Sequence, residues 1–169
     1  MISVCSNTCK AHYIEREECA EWFGKVLEVK CSLAREVGEG TFANEAPLLL
    51  INSGSVRRLN KLGKKRGRKE VSELSFRPNL VVDDGSSGIV NVEDSWTKIS
   101  IGNVHFEVIG PCSRCNMVEV GGGSGVLRTL SEYRRDRGRI LFGVFVAVPA
   151  KLAKTEHIKI GDAIDVFSS

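Results

Sequence analysis

No stretch of this chain approaches the roughly 18–20 consecutive apolar residues that a membrane-spanning helix requires. The longest apolar runs are Pro47–Ile51 and Val144–Ala150. The first ten residues, Met1–Lys10, hold neither a basic region followed by an apolar core nor an Arg-rich amphipathic pattern, so they read as neither secretory signal nor transit peptide. No membrane partner is expected, and the expected setting is reducing and cytoplasmic. The three histidines, His12, His105 and His157, share no metal-binding spacing, and the last two fall in strand patterns that suit structural roles. There is no Ser-His-Asp elbow, no Walker motif and no dinucleotide fingerprint. Gly121–Gly125 is glycine-rich, but no helix-opening Lys-Ser/Thr follows it, so it reads as a flexible connection. No internal repeat is visible.

What is present describes an ordinary globular protein: 169 residues, 42% hydrophobic and 27% charged. That length suits one domain, perhaps with a small appendage, and can bury a core without a disulfide framework. The six cysteines (Cys5, Cys9, Cys19, Cys31, Cys112 and Cys115) are therefore expected as thiols. Charge is unevenly placed. Arg57, Arg58, Lys61, Lys64, Lys65, Arg66, Arg68 and Lys69 carry +8 in thirteen residues, so with +3 overall the remainder is at −5. Nucleic-acid binding would want aromatics interleaved with these cations, and none lies between Val56 and Ser75. A solvated helix face with a charged loop is the plain reading, and an electrostatic rim for a polyanionic ligand is the other.

Apolar positions from Tyr13 to Leu27 follow a helical period, with acids early and Lys25 late to suit the helix dipole. Val29, Cys31 and Leu33 alternate as a strand, while Cys5 and Cys9 sit in an N-terminus expected to fray. Pro47–Ile51 reads as a buried strand. Ser55 is a plausible N-cap for a helix through Val56, Leu59 and Leu62 ending near Gly63, and Lys64–Lys69 reads as a loop. Strands are then expected at Leu80–Val82, Trp96–Ile101, His105–Ile109, Met117–Val120, Leu141–Val148, His157–Ile160 and Ala163–Phe167. Gly85, Gly88, Gly102, Gly110 and Gly161 punctuate them, with a short helix at Thr129–Arg135. This spacing argues for a mainly β fold, a barrel or sandwich decorated by a few helices.

Two short motifs could carry chemistry. Cys112-Ser113-Arg114-Cys115 lies between expected strands, which is wrong for a thioredoxin-like site, and it lacks the two further ligands of a structural zinc site. A cation such as Arg114 beside a thiol favours thiolate, the species that binds soft metals or attacks sulfur; two small residues at a turn is the alternative. In Phe76-Arg77-Pro78-Asn79, Pro78 cannot donate to a sheet ladder, so the motif is a strand entrance where Arg77 and Asn79 could project into a barrel mouth. Arg77 could grip a phosphate bidentately, or be a surface arginine in a turn.

In order and spacing, these features resemble the MOSC domain, most closely the C-terminal domain of eukaryotic molybdenum cofactor sulfurases. The series runs from Asn44–Val56 through Phe76–Val82, Trp96 with Ile99–Gly102, Cys112–Cys115, Thr129–Arg135 and Leu141–Gly143 to Ile158–Asp162. It covers about residues 11 to 167, giving an expected division into a tail at 1–10 and a MOSC domain at 11–169.

The resemblance implies a MOSC-type β-barrel that binds the molybdenum cofactor. Carried over residue by residue, Cys115 would be the molybdenum ligand, with Ser55, Arg77, Asn79, Ser113 and Arg114 around the pterin and its phosphate. Cys115 and Cys112 are the candidate catalytic thiols, Cys112 as a sulfur relay or as packing. The implied function is the acceptor step of cofactor sulfuration, part of a sulfurtransferase whose cysteine desulfurase domain uses pyridoxal phosphate. The sulfido cofactor would then pass to xanthine dehydrogenase- and aldehyde oxidase-type apoenzymes. The desulfurase domain, with its Schiff-base lysine, and the small β-barrel segment that usually precedes a MOSC domain have no counterpart here, so a fragment or truncated gene product is expected. Two alternatives stand beside this reading: a standalone molybdenum oxidoreductase reducing N-hydroxylated compounds, and a non-catalytic cofactor carrier or degenerate domain. The basic run falls between Ser55 and Phe76–Asn79, which makes long-range attraction of an anionic cofactor its expected role and sets nucleic acid aside.

Overall fold

A computed structural model describes residues 2–4, 7–37, 45–83, 85, 90–120, 125–147 and 157–168. The chain divides into two units, residues 1–45 and 46–169. In the first, β1 (Ile2–Val4) and β2 (Asn7–Cys9) pair antiparallel, so the terminus expected to fray forms a hairpin. Cys9 is buried, and Cys5 lies outside the described residues. β3 (Ala11–Ile14) pairs antiparallel with β4 (Leu33–Glu36), and α1 (Glu17–Leu27) lies between them in sequence. The helix starts later than its apolar period suggests because Tyr13 and Ile14 are held in β3 opposite Ala34 and Leu33. The strand expected from Val29 begins only at Leu33.

The second unit is mainly β, as expected. Its strands are β5 (Leu48–Asn52), β6 (Leu80–Val82), β7 (Trp96–Ile101), β8 (Val104–Ser113), β9 (Arg135–Asp136), β10 (Arg139–Ala147) and β11 (Ile164–Ser168). Its helices are α2 (Ser53–Lys64) and α3 (Val126–Tyr133), and single 3-10 turns occupy Glu73–Phe76, Val92–Ser95 and Asn116–Glu119. The sheet order is β11-β7-β8-β10-β5-β6 with β9 on β10, curled into a half-barrel. Every pairing is antiparallel except β5 with β6, where the parallel arrangement requires a crossover that α2 and the Glu73–Phe76 turn supply. The end strands β6 and β11 both line a cavity of about 650 Å³.

Side-chain alternation along β5 divides the core in two. Leu49 and Ile51 face Val56 and Leu59 of α2, Phe76, Cys112, Val126 and Leu130 of α3, and Phe142. Leu50 faces Ile99, Ile101, Val104, Phe106, Val144 and Val146. Phe142 and Val144 have the same parity yet face opposite cores, because a bulge intervenes: Leu141 pairs with Ser113 but Val144 with Pro111. Gly143 makes the bulge possible. Its φ is +74°, and a Cβ there would run into the Ile51 side chain and stand 2.7 Å from the Leu50 carbonyl oxygen.

Several elements differ from the sequence reading for local reasons. Asn52, not Ser55, caps α2: its Oδ1 accepts the Gly54 N–H at 2.8 Å, and the helix runs to Lys64. Met117–Glu119 belong to a 3-10 turn that Val120 follows, so Met117–Val120 is not a strand. His157–Ile160 is not a strand, because the Asp162 carboxylate accepts the Lys159 N–H at 2.8 Å and draws the chain into a turn. β8 passes through Gly110 to Ser113 instead of ending at Ile109. α3 begins at Val126 and ends at Tyr133, leaving Arg135 to β9. Gly88, Gly121–Ser124 and Val148 lie outside the described residues.

Candidate functional site

The Cys-Ser-Arg-Cys motif begins inside β8 and leaves it. Cys112 still belongs to the strand and is 5% exposed, in the α2/α3 core; Cys115 caps the Asn116–Glu119 turn and is exposed. The two thiols thus occupy opposite environments within four residues. Arg114 lies half-buried between them. Its backbone N–H donates to the Ile140 carbonyl at 2.7 Å, its Nη1 to Cys112 Sγ at 3.0 Å and its Nη2 to the Phe76 carbonyl at 2.8 Å. The guanidinium also sits 5.5 Å from the centroid of the Phe76 ring, and its Nε is buried without a partner among the described residues. Ser113 is half-buried in the last position of β8, opposite Leu141.

Arg114 therefore joins the two sequence motifs directly. The Phe-Arg-Pro-Asn motif leaves the Glu73–Phe76 turn, which packs on the Asn116–Glu119 turn. Arg77 has left-handed backbone angles (φ 57°, ψ 49°), and its side chain is exposed with no hydrogen-bond or ion-pair partner among the described residues. Asn79 enters β6 with backbone and side chain both engaged: its N–H donates to the Leu49 carbonyl and its Oδ1 accepts the Leu49 N–H, each at 2.9 Å.

Ser55 sits elsewhere in this arrangement, in the first turn of α2, and is 1% exposed. Its hydroxyl donates to Glu93 Oε1 at 3.0 Å and accepts the Asn91 N–H at 2.8 Å. Asn52 Nδ2 donates to Glu93 Oε2 at 3.3 Å. Burial pushes the Glu93 carboxyl above its ordinary range, and hydrogen bonds from its own backbone N–H, Ser55 and Asn52 oppose that shift. Burial also pushes the Tyr133 hydroxyl up to about 12, and it has no hydrogen-bond partner among the described residues. Sequence reasoning missed Asn52 and Glu93. Nothing in the Val92–Ser95 pattern marks an acid as buried, since acids are almost never fully buried unless paired and the pairing comes from a distant turn.

The basic run is partly neutralised by the chain itself. Arg57 forms a two-pronged pair with Asp83, with contacts of 2.8 and 3.1 Å. Arg66 and Arg68 reach Glu132 at 2.5 and 3.1 Å, and Arg68 also meets Thr129 Oγ1 at 2.5 Å. Arg58, Lys61, Lys64, Lys65 and Lys69 are exposed and have no ion-pair partner among the described residues. His12, His105 and His157 are exposed and lie on separate segments. Among the described residues no helix is long and apolar enough to cross a membrane.

The family model described as MOSC domain matches residues 37–165. This chain belongs to the MOSC domain family. It is similar to the protein named molybdenum cofactor sulfurase in Solanum lycopersicum, with 33% identity over 85% of this chain and 22% of that protein. The protein of the same name in Arabidopsis thaliana is 34% identical over 73% of the chain and 16% of its own length. That in Danio rerio is 31% identical over 89% and 22%. The chain thus spans about a fifth of the length of these curated relatives.

The donor set of this MOSC domain suits attachment of a metal complex through one thiolate. Among the described residues no group of three or more His, Cys, Asp or Glu is placed to cage a metal ion. Among the described residues one thiol is exposed, that of Cys115, with the open guanidinium of Arg77 on the turn packed against its own. The Ser55 hydroxyl, the Asn79 Oδ1 and both terminal nitrogens of Arg114 each make a hydrogen bond within the protein.

Proposed function

We propose that this MOSC domain binds the molybdenum cofactor and serves as the acceptor for its sulfuration. The observation that carries this is the split between the two cysteines: Cys115 is exposed and Cys112 is buried against Arg114. Cys115 would hold the molybdenum, since a thiolate is the soft ligand such a centre prefers. Arg77 would meet the phosphate of the pterin with its planar fork, with Ser113 beside it and Arg114 behind the turn. Ser55 and Asn79 would act on the site by shaping the turns that carry it. Bound, the cofactor supplies the metal atom on which a terminal sulfur is carried. Sulfur would come from a persulfide on a pyridoxal phosphate-dependent cysteine desulfurase, as a domain or a separate protein, and molybdenum hydroxylase apoenzymes would receive the product. The five exposed cations without an ion pair, Arg58, Lys61, Lys64, Lys65 and Lys69, would draw in the anionic ligand at long range.

Reconstitution with molybdenum cofactor, comparing wild type with Cys115→Ala, tests the reading. Wild type should retain cofactor through gel filtration and the variant should not; equal retention rules out Cys115 as the ligand. Adding a persulfide donor and then apo-xanthine dehydrogenase to the loaded protein should generate activity. Turnover of an N-hydroxylated substrate with an electron donor instead would replace sulfuration with reduction.

A further inference from the structure

The backbone of Arg77 is held against its own preference. Left-handed angles are disfavoured for any residue carrying a Cβ, and the residue before a proline is pushed towards extended geometry, yet Arg77 has φ 57° and ψ 49° and precedes Pro78. Such a conformation persists only where the surroundings over-determine it. Here they do. The peptide unit joining Phe76 to Arg77 is held at both ends: its oxygen accepts Arg114 Nη2 at 2.8 Å, and its N–H donates to the Leu74 carbonyl at 3.0 Å. Two residues on, Asn79 is tied to Leu49 through both its N–H and its Oδ1, each at 2.9 Å.

Arg114 is itself immobilised. Both terminal nitrogens are held, Nη1 by Cys112 Sγ at 3.0 Å and Nη2 by the Phe76 carbonyl at 2.8 Å, the guanidinium lies 5.5 Å from the Phe76 ring, the backbone N–H donates to Ile140, and the Nε is closed off from solvent. The two arginines of the paired motifs therefore differ in kind. One is bound up inside the protein, and the other is exposed with its fork open.

We propose that Arg114 is a positioning residue rather than an anion contact. Together with Asn79 it clamps the turn in the strained geometry that presents Arg77, and Arg77 alone of the two meets the anionic end of the ligand. This rests on the cofactor-binding reading above, but the clamp is testable without ligand. Arg114→Lys keeps the charge and cannot bridge Cys112 and Phe76 at once, so it separates geometry from charge.

In ligand-free protein, hydrogen exchange of the Arg77 and Asn79 amides should speed up in Arg114→Lys and stay at the wild-type rate in Arg77→Ala. N-ethylmaleimide should also begin to label Cys112 in Arg114→Lys. Unchanged exchange and labelling overturn the clamp. With molybdenum cofactor released from a donor molybdoenzyme as the probe, Arg77→Ala should raise the Kd on the order of tenfold or more, the scale of a lost charged hydrogen bond. The double variant should bind no more weakly than Arg77→Ala, because Arg114 acts only through Arg77. Multiplying losses would show that Arg114 touches the ligand itself and overturn the proposal. If wild type binds no cofactor, the function proposed above falls, while the exchange and labelling results still decide the clamp.

Discussion

The Ser55 hydroxyl donates to the carboxylate of Glu93 at 3.0 Å, and both residues are 1% exposed. Thirty-eight positions separate them in sequence. With Asn52, which donates to the other carboxylate oxygen and caps α2 through its own Oδ1, they form a buried polar clasp where β5 turns into the helix. Removing the carboxylate in Glu93→Ala leaves donors from Asn52 and Ser55 buried without partners. The expected loss is about 1–3 kcal/mol of stability by urea unfolding at pH 7. A loss below about 0.5 kcal/mol would show that the clasp contributes no net stability.

The same carboxyl links stability to pH. Its folded-state pKa is raised above the ordinary value of 4.5, chiefly by burial. The folded protein therefore holds this proton more tightly than the unfolded chain, and the group's contribution falls as pH climbs from 4.5 through the raised folded value. Glu93→Gln removes the titration. Thermal unfolding at a series of pH values from 4.5 upward should show the difference between the variant and wild type moving in favour of the variant. A difference that does not vary with pH would contradict the raised pKa.

Cys112 and Cys115 should behave as different kinds of thiol. Native-state alkylation with iodoacetamide, followed by mass spectrometry, should modify Cys115 at least about tenfold faster, since labelling of Cys112 waits on local opening. Comparable rates would mean that β8 frays through Ser113 and would favour the relay role for Cys112 over packing.

Gly143→Ala should destabilise the fold by about 3 kcal/mol, the upper range for overpacking a core. The added methyl meets the Ile51 side chain and the Leu50 carbonyl at a φ of +74°. The bulge also turns Phe142 onto Phe76, with ring centroids 4.6 Å apart. Arg114 should therefore lose part of its seat as well, and a variant with wild-type stability would show that the bulge can relax.

Neutralising Arg58, Lys61, Lys64, Lys65 and Lys69 together should slow cofactor association at low ionic strength and leave it unchanged at high salt. Arg66 and Arg68 belong to a different class. They pair with Glu132, and Arg68 also with Thr129, so replacing them should lower the melting temperature instead. An on-rate indifferent to these five unpaired cations at low salt leaves only a solvated helix face.

Local pattern alone settled a good deal. The mainly β architecture, the strands over Leu80–Val82 and Trp96–Ile101, and the family to which the chain belongs were legible because alternation, glycine turns and ordered motifs are properties of neighbouring residues. Pro78 likewise announced a strand entrance rather than a strand interior. Pattern misled where a local side chain competed with it, as Asn52 did in capping α2 and Asp162 in closing a turn over Lys159. Other features have no sequence signature. Which of the two motif cysteines is buried, which of the two arginines has its hydrogen bonds committed, and the burial of Glu93 beneath Ser55 all depend on contacts between residues 38 or more positions apart, or on a bulge that flips one strand by a residue. Hydrogen-bond capacity is finite, and only the packed chain decides whether a given arginine uses it on its own fold or keeps it for a ligand.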